Sequence, residues 1–318
     1  MKKDASVLNK ILIVSVLIVL AIYTLSIVLM LSWALITSLK SSRDFFDYGN
    51  LFGFPDLKLS KAEFLRWKNY TEVFKHFTVT VGSNYISGDT VVVNKATYGF
   101  TDMLLFSLLY AGGGCIISTF VPCVMAYACV KYPYKSSKII YTVALLIMII
   151  PIVGNFPSEI TLLRRLGLYD SMFGNYIQKF NFTGMYFFVF YAFFESLPDS
   201  YAEAAEIDGA SQASILVRVV LPLASKIIAS VMLIMFITYW DDYTIPHLYL
   251  PSWPTLAFGV YDITRQGTYG TGVATLKGAD LPPAQMTVSM ILALPILILF
   301  IALKDKIMGN MSLGGLKE

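Results

Sequence analysis

The sequence predicts an all-α integral membrane protein, with six transmembrane helices and a small extracytoplasmic insertion between the first and second. Three observations carry this. Hydrophobic residues make up 56% of the chain and charged residues only 14%, with a mean hydropathy of +0.65, which places it outside the range of soluble domains. Apolar segments recur at Ile11 to Leu39, Leu104 to Val130, Ile139 to Phe156, Met185 to Leu197, Ile227 to Trp240 and Met286 to Leu303, against the roughly 20 residues a helix needs to cross a bilayer. Short segments on one side of those runs carry Lys and Arg at about twice the density of the other side.

The first apolar run follows Lys2, Lys3 and Lys10. It is far longer than the roughly 7–15 apolar residues of a cleavable signal core, so it is expected to stay as an anchor. Lys2, Lys3, Lys10, Lys131, Lys135, Lys138, Arg218, Lys226, Lys304, Lys306 and Lys317 are eleven of the 24 Lys and Arg residues. By the positive-inside rule they put both termini and the segment around 198–222 in the cytoplasm. The net charge of +3 is too small and too dispersed to imply nucleic acid. The partners it leaves are membrane lipid and other proteins.

The division expected is 1–39 for the tail and first helix, 40–103 for the insertion, 104–303 for the core and 304–318 for a cytoplasmic tail. Within the insertion, Phe77 to Val81 and Thr90 to Val93 read as two short strands, with Gly82-Ser83-Asn84 and Ser87-Gly88-Asp89 as turn material. A small outer cap follows. The fourth and fifth apolar runs are short and must borrow flanking residues. Gly112-Gly113-Gly114 in the second is read as a close helix contact more than a hinge, and Pro151 as a kink in the third.

Chemistry-bearing motifs are sparse. Cys115, Cys123 and Cys129 share one helix at separations unsuited to a bridge, and with only two histidines, His76 and His247, far apart, no metal site is expected. No GxxxxGK[ST] loop occurs, so the chain lacks the backbone cradle and lysine with which P-loop proteins hold ATP.

The informative stretch is Glu203-Ala204-Ala205-Glu206-Ile207-Asp208-Gly209 with Leu221-Pro222. Ser200 and Glu203 are spaced as a capping box that starts a helix. Asp208-Gly209 signals a turn with positive φ, and a second helix is expected from Ser211 to Leu221, ended by Pro222.

At these residues the chain resembles the permease subunits of bacterial ABC importers, in the carbohydrate branch that includes the maltose permeases. Their EAA loop has EAAxxxG, nine residues, a hydrophobic position, one more residue and LP. Glu203, Ala204, Ala205, Gly209, Val219, Leu221 and Pro222 fill that pattern. Leu197-Pro198, Tyr239-Trp240-Asp241-Asp242-Tyr243 and Pro254-Thr255-Leu256-Ala257 are also similar to that branch, which more often has Asn where Asp241 stands.

The resemblance implies a transporter subunit in the bacterial cytoplasmic membrane, not an enzyme. Its substrate would be a sugar or oligosaccharide, moved by alternating access. The implied partners are a second permease subunit, two ATPase subunits that use ATP and Mg, and an extracytoplasmic substrate-binding protein. No cofactor is expected on this chain. Glu203, Ala204, Ala205, Asp208, Gly209, Leu221 and Pro222 would couple it to the ATPase, while Asn155, Tyr239, Trp240 and Asp242 are candidates for the substrate path, since aromatic faces stack on sugars and amides or carboxylates bond hydroxyls. An ABC permease for another solute, such as a peptide or modified sugar, stays open. A secondary transporter is disfavoured by the scarcity of charge within the spans.

Overall fold

The computed structural model describes residues 2–41, 43–47, 49–56, 65–87, 90–132, 134–150, 154–269, 274–276 and 281–308. Gly88, Asp89, Pro151 and Lys317 lie outside them. Helix dominates, and each of the six apolar runs contains one: α1 (Lys2–Ser38), α3 (Phe100–Lys131), α4 (Lys135–Ile149), α7 (Met185–Glu195), α11 (Ser225–Trp240) and α14 (Leu281–Met308). Among the described residues, three helices are long and apolar enough to span a bilayer alone, within α1, α3 and α14, or four if a bent helix pair ending in α11 is one span. The shortfall from six is one of length. At 1.5 Å per residue, α4, α7 and α11 reach only about 16–24 Å against a hydrocarbon thickness of about 30 Å.

Contacts divide the chain into two compact units: residues 1–78 with 262–293, and residues 79–261 with 294–318. In the first, α1 exposes apolar side chains all round, from Ile11 to Leu31, the behaviour of a helix whose solvent is lipid. Its end is tied down by polar bonds. Asn69, on α2 (Lys68–His76), donates to the Ser38 carbonyl at 2.8 Å and the Lys40 carbonyl at 2.9 Å, and the Thr287 hydroxyl donates to Ser38 at 3.1 Å. Asn69 is buried and both bonds use its side-chain amide.

The second unit opens with a hairpin of β1 (Phe77–Ser87, its first two residues counted with the first unit) and β2 (Thr90–Gly99). Both strands run past the lengths expected, and Gly82-Ser83-Asn84 lies inside β1 instead of forming a turn, because continued pairing satisfies backbone groups that a turn would leave open. From Gly99 the chain enters α3, with the Asp102 carboxylate accepting the Gly99 amide at 2.9 Å. The helix α3 is the axis of this unit. Phe187, Phe190 and Phe194 of α7, Ile228 and Val231 of α11 and Ala144 of α4 bury against its Cys123 to Cys129 face. All three cysteines are buried and free.

Between α4 and α7 lie two short helices, α5 (Phe156–Arg165) and α6 (Met172–Lys179). The third apolar run ends here: α4 stops at Ile149, Gly154 takes φ +78°, and Pro157 sits in the first turn of α5. The glycine run of α3 receives α6. A Cβ on Gly113 would fall 2.4 Å from the Tyr176 ring, whose hydroxyl donates to the Leu109 carbonyl at 2.7 Å. The helix passes through these glycines without a break, so they act as a contact surface.

Candidate functional site

Two sites lie along α3, at opposite ends of the core. The first is the helical hairpin of α8 (Ser200–Ile207) with α9 (Gln212–Ile215), a π-turn (Leu216–Val220) and α10 (Leu221–Leu223). The capping box does not form. Asp199 already has helical dihedrals, φ −62° and ψ −24°, and its carbonyl accepts the Ala202 and Glu203 amides at 2.9 and 3.0 Å. Ser200 is thus the first helical residue and lacks the extended backbone that a capping hydroxyl needs. Glu203, freed from that role, is exposed, as are Ala204 and Asp208.

The reversal at Gly209 is as expected. Its φ is +80°, its amide bonds the Glu206 carbonyl at 2.9 Å, and the Ala210 amide bonds the Ala205 carbonyl at 2.9 Å. These are the two bonds of a Schellman motif, which ends a helix on a left-handed residue. Ser211 then caps α9 by accepting the Ser214 amide at 3.3 Å.

Pro222 does not terminate the second helix. A proline ring clashes with the carbonyl four residues back and offers no N–H. The π-turn just before it widens the helix, so that the Leu221 amide bonds Leu216 five residues back and the turn continues to Leu223. The break falls two residues later than Pro222, at Ala224, and α11 leaves at 74° to Gln212–Leu223.

Ala202, Ile215 and Val220 bury against Tyr127 and Phe194 and fix the hairpin to α3 and α7. Polar bonds add a second hold that the sequence did not advertise. The Tyr132 hydroxyl donates to Gln212 Oε1 at 2.7 Å, Gln212 donates to Glu206 at 2.8 Å, and Lys131 pairs with Asp199 at 3.5 Å. Apolar side chains are exposed among the polar ones: Ile207 is 86% exposed at the tip of α8, with Tyr201 and Val217 also exposed.

The second site is a half-open cavity of about 250 Å³ between α3, α6, the start of α7 and α11. Its polar wall is Ser118, Gln178, Lys179, Asn181, Thr183 and Tyr239, and Pro122, Phe187 and Met235 contribute to the rest. Tyr239 shares a hydroxyl hydrogen bond with Ser118 at 2.7 Å. The Lys179 ammonium lies 3.8 Å from the centre of the Tyr239 ring and 4.4 Å from that of Tyr110, and donates to the Tyr110 hydroxyl at 3.2 Å. Tyr110 in turn donates to Asp242 at 2.6 Å. Burial brings the ammonium down from 10.5 to about 8, against the opposing influence of the Asp242 carboxylate.

Of the four residues proposed for the substrate path, Tyr239 lines this cavity and Asp242 supports it through Tyr110. Trp240 is 1% exposed and stacks on Phe236. It points into the core because adjacent residues on a helix face directions about 100° apart. Asn155 belongs to another cluster, donating to Glu159, which accepts the Tyr249 hydroxyl at 2.6 Å. Lys179 was missed. Its available signal was that it is the sole basic residue between Arg165 and Arg218, set just before an apolar run.

An apolar bundle with three or four helices able to cross a bilayer, a half-open cavity at one end of its central helix and a protruding helical hairpin at the other is a multi-span membrane protein. The chain belongs to the family described as "Binding-protein-dependent transport system inner membrane component", whose model matches residues 118–309. These are the permease subunits of ABC importers. They are not themselves enzymes.

Among relatives, the chain is 26% identical to the inner membrane ABC transporter permease protein YcjP of Escherichia coli (strain K12), over 71% of this chain and 78% of that one. It is 25% identical to the polygalacturonan/rhamnogalacturonan transport system permease protein YtcP of Bacillus subtilis (strain 168), over 67% and 76%. It is 30% identical to the sn-glycerol-3-phosphate transport system permease protein UgpE of Yersinia pestis bv. Antiqua (strain Antiqua), over 63% and 68%. The fold matches a chain of a bacterial ABC transporter involved in the import of the acidic polysaccharide alginate, with a TM-score of 0.68 at 19% identity, covering 93% of this chain and 96% of that one.

Proposed function

We propose that this chain is the permease subunit of an ATP-driven importer for a sugar or oligosaccharide. It would work with a second permease subunit, two ATPase subunits that use ATP and Mg, and an extracytoplasmic substrate-binding protein. Both termini and the EAA loop lie on the cytoplasmic side in this reading, supported by the distribution of Lys and Arg, and the 40–103 insertion lies outside. The names of the relatives support a saccharide or a small polyol derivative as cargo.

One observation carries the mechanism. The helix α3 holds the EAA loop at Tyr127 and Lys131 and the cavity at Gly114 and Ser118, about 20 Å apart along one continuous helix. The helix α11 does the same, with Ile228 and Val231 at the loop end and Tyr239 at the cavity end. A displacement applied to the hairpin therefore reaches the cavity through two stiff elements that share a packed face.

In use, ATP binding draws the ATPase pair together. Each ATPase groove takes the exposed face of α8, covering Ile207 and meeting the Glu203 carboxylate, and carries the hairpin with it. The cavity then opens outward to receive substrate from the binding protein, and hydrolysis resets it. Gly209, Asp208, Ala204 and Ala205 shape the hairpin, and Leu221 and Pro222 set the π-turn and the bend behind it.

The test is co-purification from the native membrane followed by reconstitution in proteoliposomes. Recovery with an ATPase, a second permease and a binding protein, and uptake of a labelled saccharide that needs ATP, is the expected result. Uptake driven by an ion gradient without ATP would refute the coupling. Uptake of peptides in place of saccharides would leave the ABC mechanism and replace the cargo.

A further inference from the structure

The charge in the cavity is one-sided. Lys179 is the sole ionisable lysine, arginine or carboxylate side chain among the residues lining it, and the other polar groups there are hydroxyls and amides. Asp242 does not neutralise it directly. One Asp242 oxygen accepts the Tyr110 hydroxyl at 2.6 Å, and the other accepts the Thr244 and Ile245 amides at 2.9 and 3.1 Å. Among the described residues, no carboxylate lies within the 4.0 Å of an ion pair with Lys179.

The lysine is also built into place. A Cβ on Gly114 would lie 3.0 and 3.1 Å from Lys179 Cδ and Cε and 3.1 Å from Tyr239 Cδ2. The stem therefore runs along bare helix backbone and delivers the ammonium between two tyrosine rings. The contacts of that ammonium are two ring faces and one phenol oxygen, none of which carries a formal charge. A half-buried cation whose contacts are all neutral gains from an anionic partner.

We infer that this cavity is an anion-receiving subsite of the transport path, in which the Lys179 ammonium takes the carboxylate or phosphate of an acidic saccharide while the Tyr239 ring and the Gln178, Asn181 and Thr183 groups take its neutral parts. The inference rests on the saccharide-permease reading above and narrows its substrate class. Transport requires that this contact be made and released, and a lysine shared with two aromatic faces supplies a partner it can return to when the substrate leaves.

The experiment uses the whole complex in proteoliposomes and four labelled probes: trigalacturonate, its methyl ester, glucose 6-phosphate and maltotriose. Binding of the same probes to the solubilised complex without its binding protein is measured alongside, so that selectivity is assigned to the membrane part. The expected result is uptake and binding of trigalacturonate or glucose 6-phosphate, with the two arms separating carboxylate from phosphate. Lys179→Met should lower both for the anion by about ten- to a hundredfold, the worth of a hydrogen bond to a charged group, and Lys179→Arg should retain most of it. Where Lys179→Met does not assemble, the wild-type preference for trigalacturonate over its methyl ester decides. ATP-driven uptake of maltotriose or the methyl ester, with equal or better binding than the anions, overturns the inference and leaves the permease reading standing. Uptake and binding of none of the four overturns the inference, while co-purification with an ATPase that hydrolyses ATP decides the permease reading separately.

Discussion

Replacing Gly209 by valine tests the hairpin at the point where its backbone is least substitutable. A Cβ at this position meets no atom within 4 Å, so the cost is conformational and not a tertiary clash. Gly209 sits at φ +80°, where an L-residue is disfavoured by roughly 1–2 kcal/mol, and a β-branched one by more. About 2–3 kcal/mol is less than the roughly 5–15 kcal/mol that holds a domain folded, yet it lowers the population of this turn by about thirtyfold or more. The Schellman bonds from Gly209 to Glu206 and from Ala210 to Ala205 would be lost with it, and α8 would present Glu203 and Ile207 at the wrong angle. In the reconstituted complex, Gly209→Val should accumulate in the membrane at near wild-type levels. Substrate-stimulated ATP hydrolysis and uptake should fall at least tenfold. Gly209→Asn, which tolerates a left-handed backbone, should lie close to wild type and Gly209→Ala between them. Normal stimulated hydrolysis and uptake in Gly209→Val would refute both the strain argument and the assignment of this turn to coupling.

Three further outcomes follow from the geometry. Tyr132→Phe and Gln212→Ala each remove part of the chain that ties the hairpin to the end of α3; each should weaken coupling modestly, by about 0.5–1.5 kcal/mol for an exposed hydrogen bond, and the double variant should cost less than the sum in a cycle measured on stimulated ATPase. Gly113→Ala drives a methyl into the Tyr176 ring and should lower the melting temperature of the solubilised complex by displacing α6, whereas Gly112→Ala, with open space at its Cβ, should be neutral or stabilising. For Lys179, the ammonium's value falls from 10.5 in the free side chain to about 8 in the fold, so the unfolded chain holds more protons between those limits and stability rises with pH across that window. Over the same range the cation facing Asp242, Tyr110 and Tyr239 is lost, so uptake of an acidic saccharide should fall as pH passes about 8, and Lys179→Arg should abolish that fall.

Much of the architecture was legible because lipid imposes a coarse rule. Long apolar runs such as Ile11 to Leu39 admit few structures besides helices in a medium that cannot hydrogen-bond the backbone, and each of the six runs does contain one. The turn at Gly209 was legible because Asp-Gly after an alanine-rich stretch is a local signal with a local cause. The signals that misled were those whose outcome depends on neighbours. Ser200 and Glu203 have the spacing of a capping box, but Pro198 and Asp199 begin the helical turn one residue earlier. Pro222 reads as a stop, yet the π-turn at Leu216–Val220 accommodates it and moves the break to Ala224.

The sequence by itself therefore determined the membrane class, the helical segments and the hairpin with its glycine reversal, since each follows from hydropathy or from backbone preferences acting over a few residues. Only the tertiary structure decided which polar groups share a cavity. Ser118, Lys179 and Tyr239 come from three helices separated by tens of residues, and their meeting depends on Gly113 and Gly114 admitting α6 against α3. The placement of a cation between two rings is a property of helix packing, where a missing Cβ sets how closely two backbones approach, and no periodicity along the chain records it.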